Sequence, residues 1–448
     1  MKMMARAPTS AVLACLALLG GSARAMDLQE AYQAALLQDA TTRAARAAVE
    51  AGDERIRQAE AQRYPNVSLS AGYQRNNLDR TQPNILGEDA TVNDRYPSKN
   101  ATLTVRQPLY RKAITLGIEQ TRAQRDDAQA GLQKETQRLA VRVADAYTEI
   151  LFARDQLDFI AAQKAATTTQ LDAARKQFAG GTGTRTDIDE AQARLDMALA
   201  QELEARQQQG FAQRQLSLLI NAPVNLEALR PLAVDRLAAW SPPVHNLEEW
   251  LAQAEARSPE LRQLQARLES ARLDVEKARA GHLPTLDAVA QWSRSESESV
   301  TSPNTRYVNR TIGVQLNMPL YAGGYVNAAT REALARQTQA EELLEAARRD
   351  LALRVTTEFR NVTEGRLRVH ALEQAERSAE QLAQSSRKSM RGGVRTLVDV
   401  FNADQKKAQT QRDLARARYE MLVAYVRLLA LAGSDEGSGI AAVNGLLR

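Results

Sequence analysis

Two short segments of the sequence combine a glycine pair, a threonine and an aspartate at the same spacing. The residues are Gly180, Gly181, Thr184 and Asp187 in the first, and Gly392, Gly393, Thr396 and Asp399 in the second. Glycine pairs are typical of helix ends, and the aspartates near Arg395 are charges that could form ion pairs or repel anions. From the residues alone, these charges are equally well explained as solvated groups just past a turn, and Asp399 also suits a helix N-terminus.

Side chains that usually carry catalysis or bind metals are isolated. His245, His282 and His370 have no histidine or glutamate partner at a metal-ligand spacing. The sequence contains neither a Gly-rich phosphate-binding motif nor a Gly-x-Ser-x-Gly nucleophile motif. We therefore predict no enzyme activity, no cofactor and no metal site.

The sequence repeats itself over a long distance. Pro65 and Pro284 open similar segments, and Pro108 and Pro319 stand in Gln-Pro-Leu-Tyr and Met-Pro-Leu-Tyr. Pro108 and Pro319 lie 211 residues apart, and the glycine pairs and aspartates of the two turns lie 212 residues apart, far beyond the repeat length of solenoids. This predicts the duplication of half a protein, with each proline at a junction between a helix and a strand.

The duplication predicts the domain organisation. We expect a first structural repeat over residues 26–245, whose Pro-rich end links the halves, and a second over residues 246–433. Residues 434–448 are small and polar, which predicts a flexible C-terminal tail.

The N-terminal residues have the pattern of a secretory signal peptide. Two basic residues precede an apolar stretch at 11–21 and a small-x-small site at 23–25, which predicts cleavage after residue 25. A lipoprotein signal using Cys15 is an alternative, although it leaves a very short apolar core. Without it, the mature chain contains no thiol.

The composition indicates long helices rather than thick globular cores. Only 4% of the 448 residues are aromatic, and the formal net charge is +5. Arginine is spread evenly, which favours solvated helix faces over a nucleic-acid footprint. No later segment offers about 18 consecutive apolar residues, so an exported chain of this kind is periplasmic, secreted or an outer-membrane β-barrel.

Strand-like alternation follows the prolines. The predicted strands cover residues 66–76, 100–108, 285–293 and 307–318. Each is apolar on one side and polar on the other, as in the wall of an outer-membrane barrel; a small periplasmic sandwich is the alternative. The polar segments 76–98 and 293–306 are predicted outward-facing loops.

Helical periodicity covers most of the remaining chain. The predicted helices are 27–62, 111–179, 184–220, 247–281, 325–391 and 395–432. A seven-residue register through Val143, Ile150, Leu157, Leu171 and Phe178, broken by Lys164, predicts coiled-coil packing. The helix 111–179 would reach roughly 100 Å, much longer than a bilayer core, so it is expected to stand in water.

Four strands cannot close a transmembrane barrel, and an open sheet edge is not tolerated in lipid. Two chains would give eight strands and a filled interior, whereas three would give twelve and room for a lumen. A long helical shaft makes sense only if it conducts something, which favours three chains.

Over residues 27–433 the chain resembles the TolC family of outer-membrane efflux proteins. The tandem halves, the junction prolines and the paired Gly-x-x-Thr-x-x-Asp turns carry the resemblance. It implies a mainly α fold with β: long antiparallel coiled-coil helices, and four strands contributed to a trimeric 12-stranded transmembrane barrel. It also implies a homotrimer in the bacterial outer membrane, extending into the periplasm, with outer-membrane lipid, a periplasmic adaptor and an inner-membrane pump as partners.

The resemblance assigns roles at the glycine turns. It implies gate residues that close the periplasmic tip: Thr186, Asp187, Arg395, Asp399 and Asn402. Asn402 and Met390 depart from an aspartate and a tyrosine found in relatives, which predicts a weaker acidic ring and one missing gate hydrogen bond. The glycine pairs would be the adaptor-docking turns.

The resemblance therefore implies an exit duct for multidrug efflux, type I protein secretion, or both. A periplasmic coiled-coil scaffold without a pore is the alternative from a different class. The sequence names neither the transported substrate nor the class of pump.

Overall fold

The computed structural model describes residues 26–83, 87–241, 246–301, 304–434 and 437–448. The predicted signal peptide, with Cys15, and His245 lie outside these ranges. The elements are α1 (Leu28–Gln38), α2 (Ala40–Ala61), β1 (Asn66–Pro83), β2 (Asp89–Tyr110), α3 (Lys112–Ala179), α4 (Arg185–Ile220), α5 (Val234–Ala239), α6 (Leu247–Arg257), α7 (Pro259–Arg279), β3 (Thr285–Glu296), β4 (Arg306–Asn317), α8 (Tyr325–Arg391), α9 (Leu397–Leu431) and α10 (Ser438–Asn444). The same order of helices and strands occurs in both halves.

The chain divides into two compact units, and both halves of the sequence contribute to each. The sheet unit comprises residues 45–132 and 260–347. The helical unit comprises the chain up to residue 44 together with residues 133–259 and 348–448.

The sheet unit contains one antiparallel sheet in the order β1-β2-β3-β4. Its register places apolar side chains in rows on one face, including Val67, Val105, Ala290 and Ile312, and then Leu69, Leu103 and Trp292. The rows on the other face are polar, for example Ser68, Thr104, Gln291 and Thr311. The sheet therefore has one apolar and one polar face, as the alternation predicted.

The first hairpin is longer than predicted. The segment 76–98, predicted to be a loop, is mostly strand, because β1 continues to Pro83 and β2 begins at Asp89. Cross-strand hydrogen bonds replace apolar contacts here: Asn93 donates to Asp79 at 2.5 Å, and the hydroxyls of Thr81 and Thr91 lie 2.7 Å apart. The polar residues that suggested a loop therefore lie in paired strands.

The predicted single helices 27–62 and 247–281 were wrong, since each is broken once. At Asp39 the backbone is extended, and its carboxylate accepts a hydrogen bond from the Thr42 amide at 2.9 Å, which caps α2. In the second half Pro259 begins α7. Proline has no amide hydrogen to continue the preceding helix but suits the first helical position.

Side-chain contacts link α3 to α4 in the helical unit. Val143, Ile150 and Leu171 of the predicted register are buried, whereas Phe178 is exposed. On α4 the buried residues include four alanines seven residues apart, Ala191, Ala198, Ala205 and Ala212, which permit close approach of the helices. Lys164, which breaks the register, lies 2.5 Å from the Glu202 carboxylate of α4.

The C-terminal residues are packed, so the prediction of a flexible tail was wrong. Ile440 and Val443 of α10 are buried in the main core, and the Ala233 amide donates to the Leu446 carbonyl at 2.9 Å. Apolar residues spaced three apart lie on one face of a helix. The surrounding glycine and serine residues led to the prediction of a flexible tail in spite of this helical pattern.

Candidate functional site

The first glycine turn joins α3 to α4. Gly181 has φ of +73°, a left-handed conformation that glycine adopts without a Cβ penalty. The Gly181 amide donates to the Phe178 carbonyl and the Thr182 amide to the Gln177 carbonyl, both at 3.0 Å. These bonds form a Schellman C-cap, so Gly180 and Gly181 have a defined structural role.

A capping box begins the next helix. The Thr184 hydroxyl accepts from the Asp187 amide at 3.2 Å, and the Thr184 amide donates to the Asp187 carboxylate at 3.1 Å. The Thr184 hydroxyl also donates to that carboxylate at 2.7 Å. These contacts satisfy backbone groups that the first helical turn leaves unpaired.

The second turn, between α8 and α9, has the same construction. Gly393 has φ of +74°, and its amide donates to the Met390 carbonyl at 3.0 Å. The Thr396 amide donates to the Asp399 carboxylate at 2.9 Å, and the Asp399 amide donates to the Thr396 hydroxyl at 3.3 Å. Both predicted turns are therefore helix–turn–helix ends closed by a capping box.

The predicted gate aspartates are capping groups within the chain. The Thr396 backbone amide, followed by its hydroxyl, lowers the pKa of Asp399 below its ordinary value, because hydrogen bonds to a carboxylate favour its charged form. Thr186 is an exposed residue in the first turn of α4. Contacts within one chain therefore keep the charged Asp399 carboxylate at the turn, independently of any role in a pore.

Arg395 has a partner that the sequence did not indicate. Its Nη1 donates to Ser386 Oγ at 2.7 Å, and Ser386 is fully buried. Within the described part of one chain, no hydrogen bond or ion pair joins Arg395 to Asp187. A link between these two residues would have to form between copies, and it stays a prediction.

Asn402 belongs to a small cluster around Arg194. Arg194 Nη2 donates to the Asn402 side-chain oxygen at 3.3 Å and to Glu190 at 3.1 Å. Its guanidinium carbon lies 4.6 Å from the centre of the Phe401 ring, within the range of a cation–π contact. The neutral amide of Asn402 is therefore a hydrogen-bond acceptor for an arginine of α4.

Close to this cluster, Asp404 bridges three helices. It accepts from Arg387 Nη2 of α8 at 2.8 Å and from Gln170 Nε2 of α3 at 3.1 Å. Leu171, Ala191 and Phe401 form a small apolar cluster beside these contacts. Polar and apolar contacts together tie the helix ends behind the two turns.

An open groove of about 2380 Å³ runs along the helical unit, with residues of α3, α4, α8 and α9 lining it. Glutamines recur at seven-residue intervals along two of its helices: Gln156, Gln163 and Gln170 on α3, and Gln201, Gln208 and Gln215 on α4. A seven-residue spacing keeps side chains on one helix face. The groove therefore has a neutral, hydrogen-bonding stripe on each of these helices.

Contacts between α3 and α9 lie along the same groove. Arg427 Nη2 is 2.9 Å from Asp145 Oδ1, and the Tyr419 hydroxyl donates to Asp155 at 2.7 Å. Burial raises the pKa of Asp155, and the hydrogen bond from Tyr419 only partly opposes this.

The opposite side of α3 packs against other segments of the helical unit. The Tyr147 hydroxyl donates to the Met26 carbonyl at 3.1 Å and accepts from the Arg230 amide at 3.0 Å. Gln156 is nine positions from Tyr147, which corresponds to about half a rotation around the helix. The groove therefore lies on the side of α3 that faces away from the N-terminal segment.

The four junction prolines lie at ends of strands. Pro65 and Pro284 directly precede β1 and β3, and Pro319 follows β4. Pro108 lies within the last residues of β2, where the pairing with β3 is irregular. Beside it, Arg111 Nε donates to Asp287 Oδ1 at 2.8 Å, so an ion pair reinforces the point where β2 leads into α3.

Within the described ranges, no three or more His, Cys, Asp or Glu side chains gather in a manner suited to a metal ion. None of the described helices carries an apolar stretch suited to crossing a lipid bilayer.

Sequence reasoning missed Gln170, Arg194, Ser386, Arg387 and Asp404. All lie within helices that were predicted, but polar residues are frequent along every helix and none of these has a distinctive motif. The sequence shows that Arg194 and Phe401 each lie close to a glycine turn. It does not indicate that these two side chains contact each other.

Known proteins resemble nearly the whole chain. The family model described as Outer membrane efflux protein matches residues 31–222 and 250–434. The alkaline protease secretion protein AprF of Pseudomonas aeruginosa is 34% identical, covering 94% of this chain and 87% of AprF. The proteases secretion protein PrtF of Dickeya chrysanthemi is 32% identical, covering 94% of this chain and 90% of PrtF.

The fold also has solved counterparts. The crystal structure of CusC, a protein that forms a transmembrane channel, superposes with a TM-score of 0.76 at 18% identity, covering 91% of this chain and 92% of that chain. This likeness shows a shared mainly helical fold with a few antiparallel strands.

Proposed function

The chain belongs to the outer membrane efflux protein family, and from this premise we propose that it is the outer-membrane exit duct of a tripartite export system. The family consists of transport proteins rather than enzymes. The duct receives cargo from an inner-membrane pump and a periplasmic adaptor and carries it across the periplasm and the outer membrane.

The two-faced sheet is the observation that carries this proposal. Its apolar rows include Leu69, Ile312 and Val314, all highly exposed in the single chain, while the opposite rows are polar. Lipid outside and water inside require this arrangement in a transmembrane barrel. Pairing of β4 of one copy with β1 of the next would close three sheets into twelve strands and remove the open edges.

The groove supports the assignment of an inner wall. Its α3 stripe lies on the side of that helix opposite the packed N-terminal segment, which suits a lumen surrounded by helices from three copies. Residues 26–245 and 246–433 would each supply one hairpin, one long helix and one shorter helix to each copy, as expected for a tandem duplication.

The glycine turns are the proposed periplasmic tip. Thr186, Asp187, Arg395, Asp399 and Asn402 would form the gate between neighbouring copies. Gly180, Gly181, Gly392 and Gly393 would meet the adaptor. The Arg395–Ser386 and Arg194–Asn402 hydrogen bonds support this placement, because they hold the charged side chains at the helix ends in defined positions.

The relatives suggest the cargo. AprF and PrtF carry names that describe protease secretion, so we infer that a secreted protein is one cargo. The glutamine stripes agree with this inference, since they offer hydrogen bonds to a passing polypeptide, and the charged side chains that line the same groove are of both signs.

Single-channel recording tests the duct. The purified protein in planar bilayers should insert pores, and Arg395→Ser should raise their conductance by weakening the gate. Arg185→Ser is a matched control, because Arg185 also stands at a turn but forms an exposed pair with Asp189. A protein that inserts no pores would support the alternative periplasmic scaffold.

A further inference from the structure

The β1–β2 hairpin continues well past the other hairpin. Its ladder runs without a bulge from the pair Asn66 and Arg106 to the pair Pro83 and Asp89. The β2–β3 ladder stops at Lys99 and Glu296. Residues 74–83 and 89–98, called the hairpin extension below, form a two-stranded ribbon about 34 Å long.

The apolar side of this hairpin changes from one face to the other along its length. Up to Tyr73, the odd-numbered residues of both strands are mainly apolar and the even-numbered residues are polar. In the extension the odd face is polar and carries Arg75, Asn77, Asp79, Thr81, Thr91, Asn93 and Arg95. The apolar side chains Leu78, Val92 and Tyr96 are on the even face. Because the register has no bulge, odd-numbered residues stay on one face along the whole hairpin. The change of the apolar side therefore results from the order of apolar and polar residues in the sequence.

The even face of the extension is incompletely covered in one chain. Leu78 is 39% and Val92 44% exposed. Between them Arg80 Nη2 lies 3.4 Å from Asp94 Oδ2, yet Arg80 Nε and Asp94 Oδ2 are buried without a hydrogen-bond partner. A two-stranded ribbon alone is marginally stable in water, so this face requires a partner.

The chemistry of the face points to its occupant. Besides Leu78, Val92 and Tyr96, the even face carries one positive charge, one negative charge and neutral hydrogen-bonding side chains, namely Gln74, Asn76, Gln82 and Ser98. Copies of it are therefore complementary to one another: Arg80 of one copy can meet Asp94 of the next. The proposed trimer places this face on the inner side of the barrel. Twelve strands give a barrel radius of about 12 Å, which the extension is long enough to span.

We propose that the three hairpin extensions of a trimer bend inward and pack their even faces together, forming a cap over the outer mouth of the duct. The polar odd faces then face the external medium. This cap rests on the proposed trimeric barrel, and it has to open when cargo leaves.

Single-cysteine variants of the full chain test the cap. The only cysteine of the sequence is Cys15, within the predicted signal peptide. Leu78→Cys and Val92→Cys place a thiol on the even face, and Asn77→Cys and Asn93→Cys are matched controls at the same heights on the odd face. Oxidation, or a short bis-maleimide, should link the even-face variants into dimers at least tenfold more than the controls, because a disulfide needs Cα atoms within about 7 Å.

Two further readouts separate the outcomes. A membrane-impermeant maleimide should label whole cells carrying the odd-face variants faster than cells carrying the even-face variants. If the protein is trimeric by native mass and conducts in bilayers but all four variants cross-link equally, the cap is wrong and the duct stands. Even-face protection without cross-linking would assign the face to another occupant, such as lipopolysaccharide, and would also overturn the cap. Absence of both trimers and pores would refute the proposed function itself.

Discussion

Arg387 of α8 donates a hydrogen bond to Asp404 of α9, with Nη2 and Oδ1 2.8 Å apart. The second carboxylate oxygen accepts from Gln170 of α3, and the Asp404 side chain is only 17% exposed. One carboxylate therefore holds three helices together just behind the glycine turns, where a gate would have to move.

Replacing this carboxylate should loosen the tip. Asp404→Asn removes the ion pair, which is worth up to about 1 kcal/mol because Arg387 is partly exposed. Three copies would change the balance of closed and open channels by about 3 kcal/mol, or about 100-fold. We expect a higher open probability in planar bilayers.

Asp413→Asn is the control for Asp404. Among the residues that the structure describes, Asp413 pairs only with its sequence neighbour Arg412, and its side chain is 38% exposed, so its loss should leave gating unchanged. Equal open probabilities for wild type and Asp404→Asn would show that this bridge does not restrain the gate.

Replacing glycine by alanine should lower the stability of the fold at one position and raise it at another. Gly393→Ala places a Cβ on a residue with φ of +74°, which costs about 1–2 kcal/mol. Gly210→Ala lies within α4, where an added Cβ meets nothing within 4 Å of the chain, and it should stabilise by up to about 1 kcal/mol. Thermal unfolding monitored by circular dichroism checks both, and a neutral Gly393→Ala would contradict the role of the left-handed turn.

Asp39 predicts a loss of stability in acid. Burial acts to raise its pKa, but hydrogen bonds from Thr41, Thr42 and Arg142 outweigh it and lower the pKa from 3.8 to about 2. Because the pKa is lower in the folded state, ionised Asp39 stabilises the fold fully above the ordinary value of 3.8 and loses this contribution as the pH falls towards 2. The contribution at neutral pH is about 2 kcal/mol.

Unfolding of Asp39→Asn measures this contribution. Its deficit relative to wild type should be largest at pH 7 and should shrink towards pH 2. Asp235→Asn is the control, since the Asp235 side chain is 86% exposed beside Arg448 and its change should have little effect at either pH. A deficit that does not vary with pH would rule out the ionised hydrogen-bonded carboxylate as its cause.

Because the C-terminal helix is packed into the core, shortening one of its buried side chains should lower the stability of the fold. Ile440→Ala removes a fully buried side chain from the main core and should destabilise the helical unit by about 2–5 kcal/mol. Leu203→Ala is a matched control, because Leu203 is 70% exposed. Melting temperatures in detergent distinguish them, and equal melting temperatures for Ile440→Ala and wild type would mean that α10 does not stabilise the core.

Local features of the sequence predicted much of the fold. The long helix 325–391 agrees with the observed Tyr325–Arg391, because helical periodicity and a glycine pair are both local signals. The strand alternation also predicted which face of the sheet is apolar. Polarity misled the prediction of residues 76–98, since strands paired by side-chain hydrogen bonds have the composition of a loop.

The sequence by itself determined where the helices turn and which residues begin the next helix, because a Schellman cap and a capping box depend on residues within a few positions of one another. Only the tertiary structure decided which side chains meet across helices. Asp404 contacts residues from 17 to 234 positions away, and Arg194 reaches Asn402 across 208 positions. Such contacts depend on the rotation and register of the packed helices. Many polar residues have similar local sequence patterns, so the sequence does not indicate which of them meet.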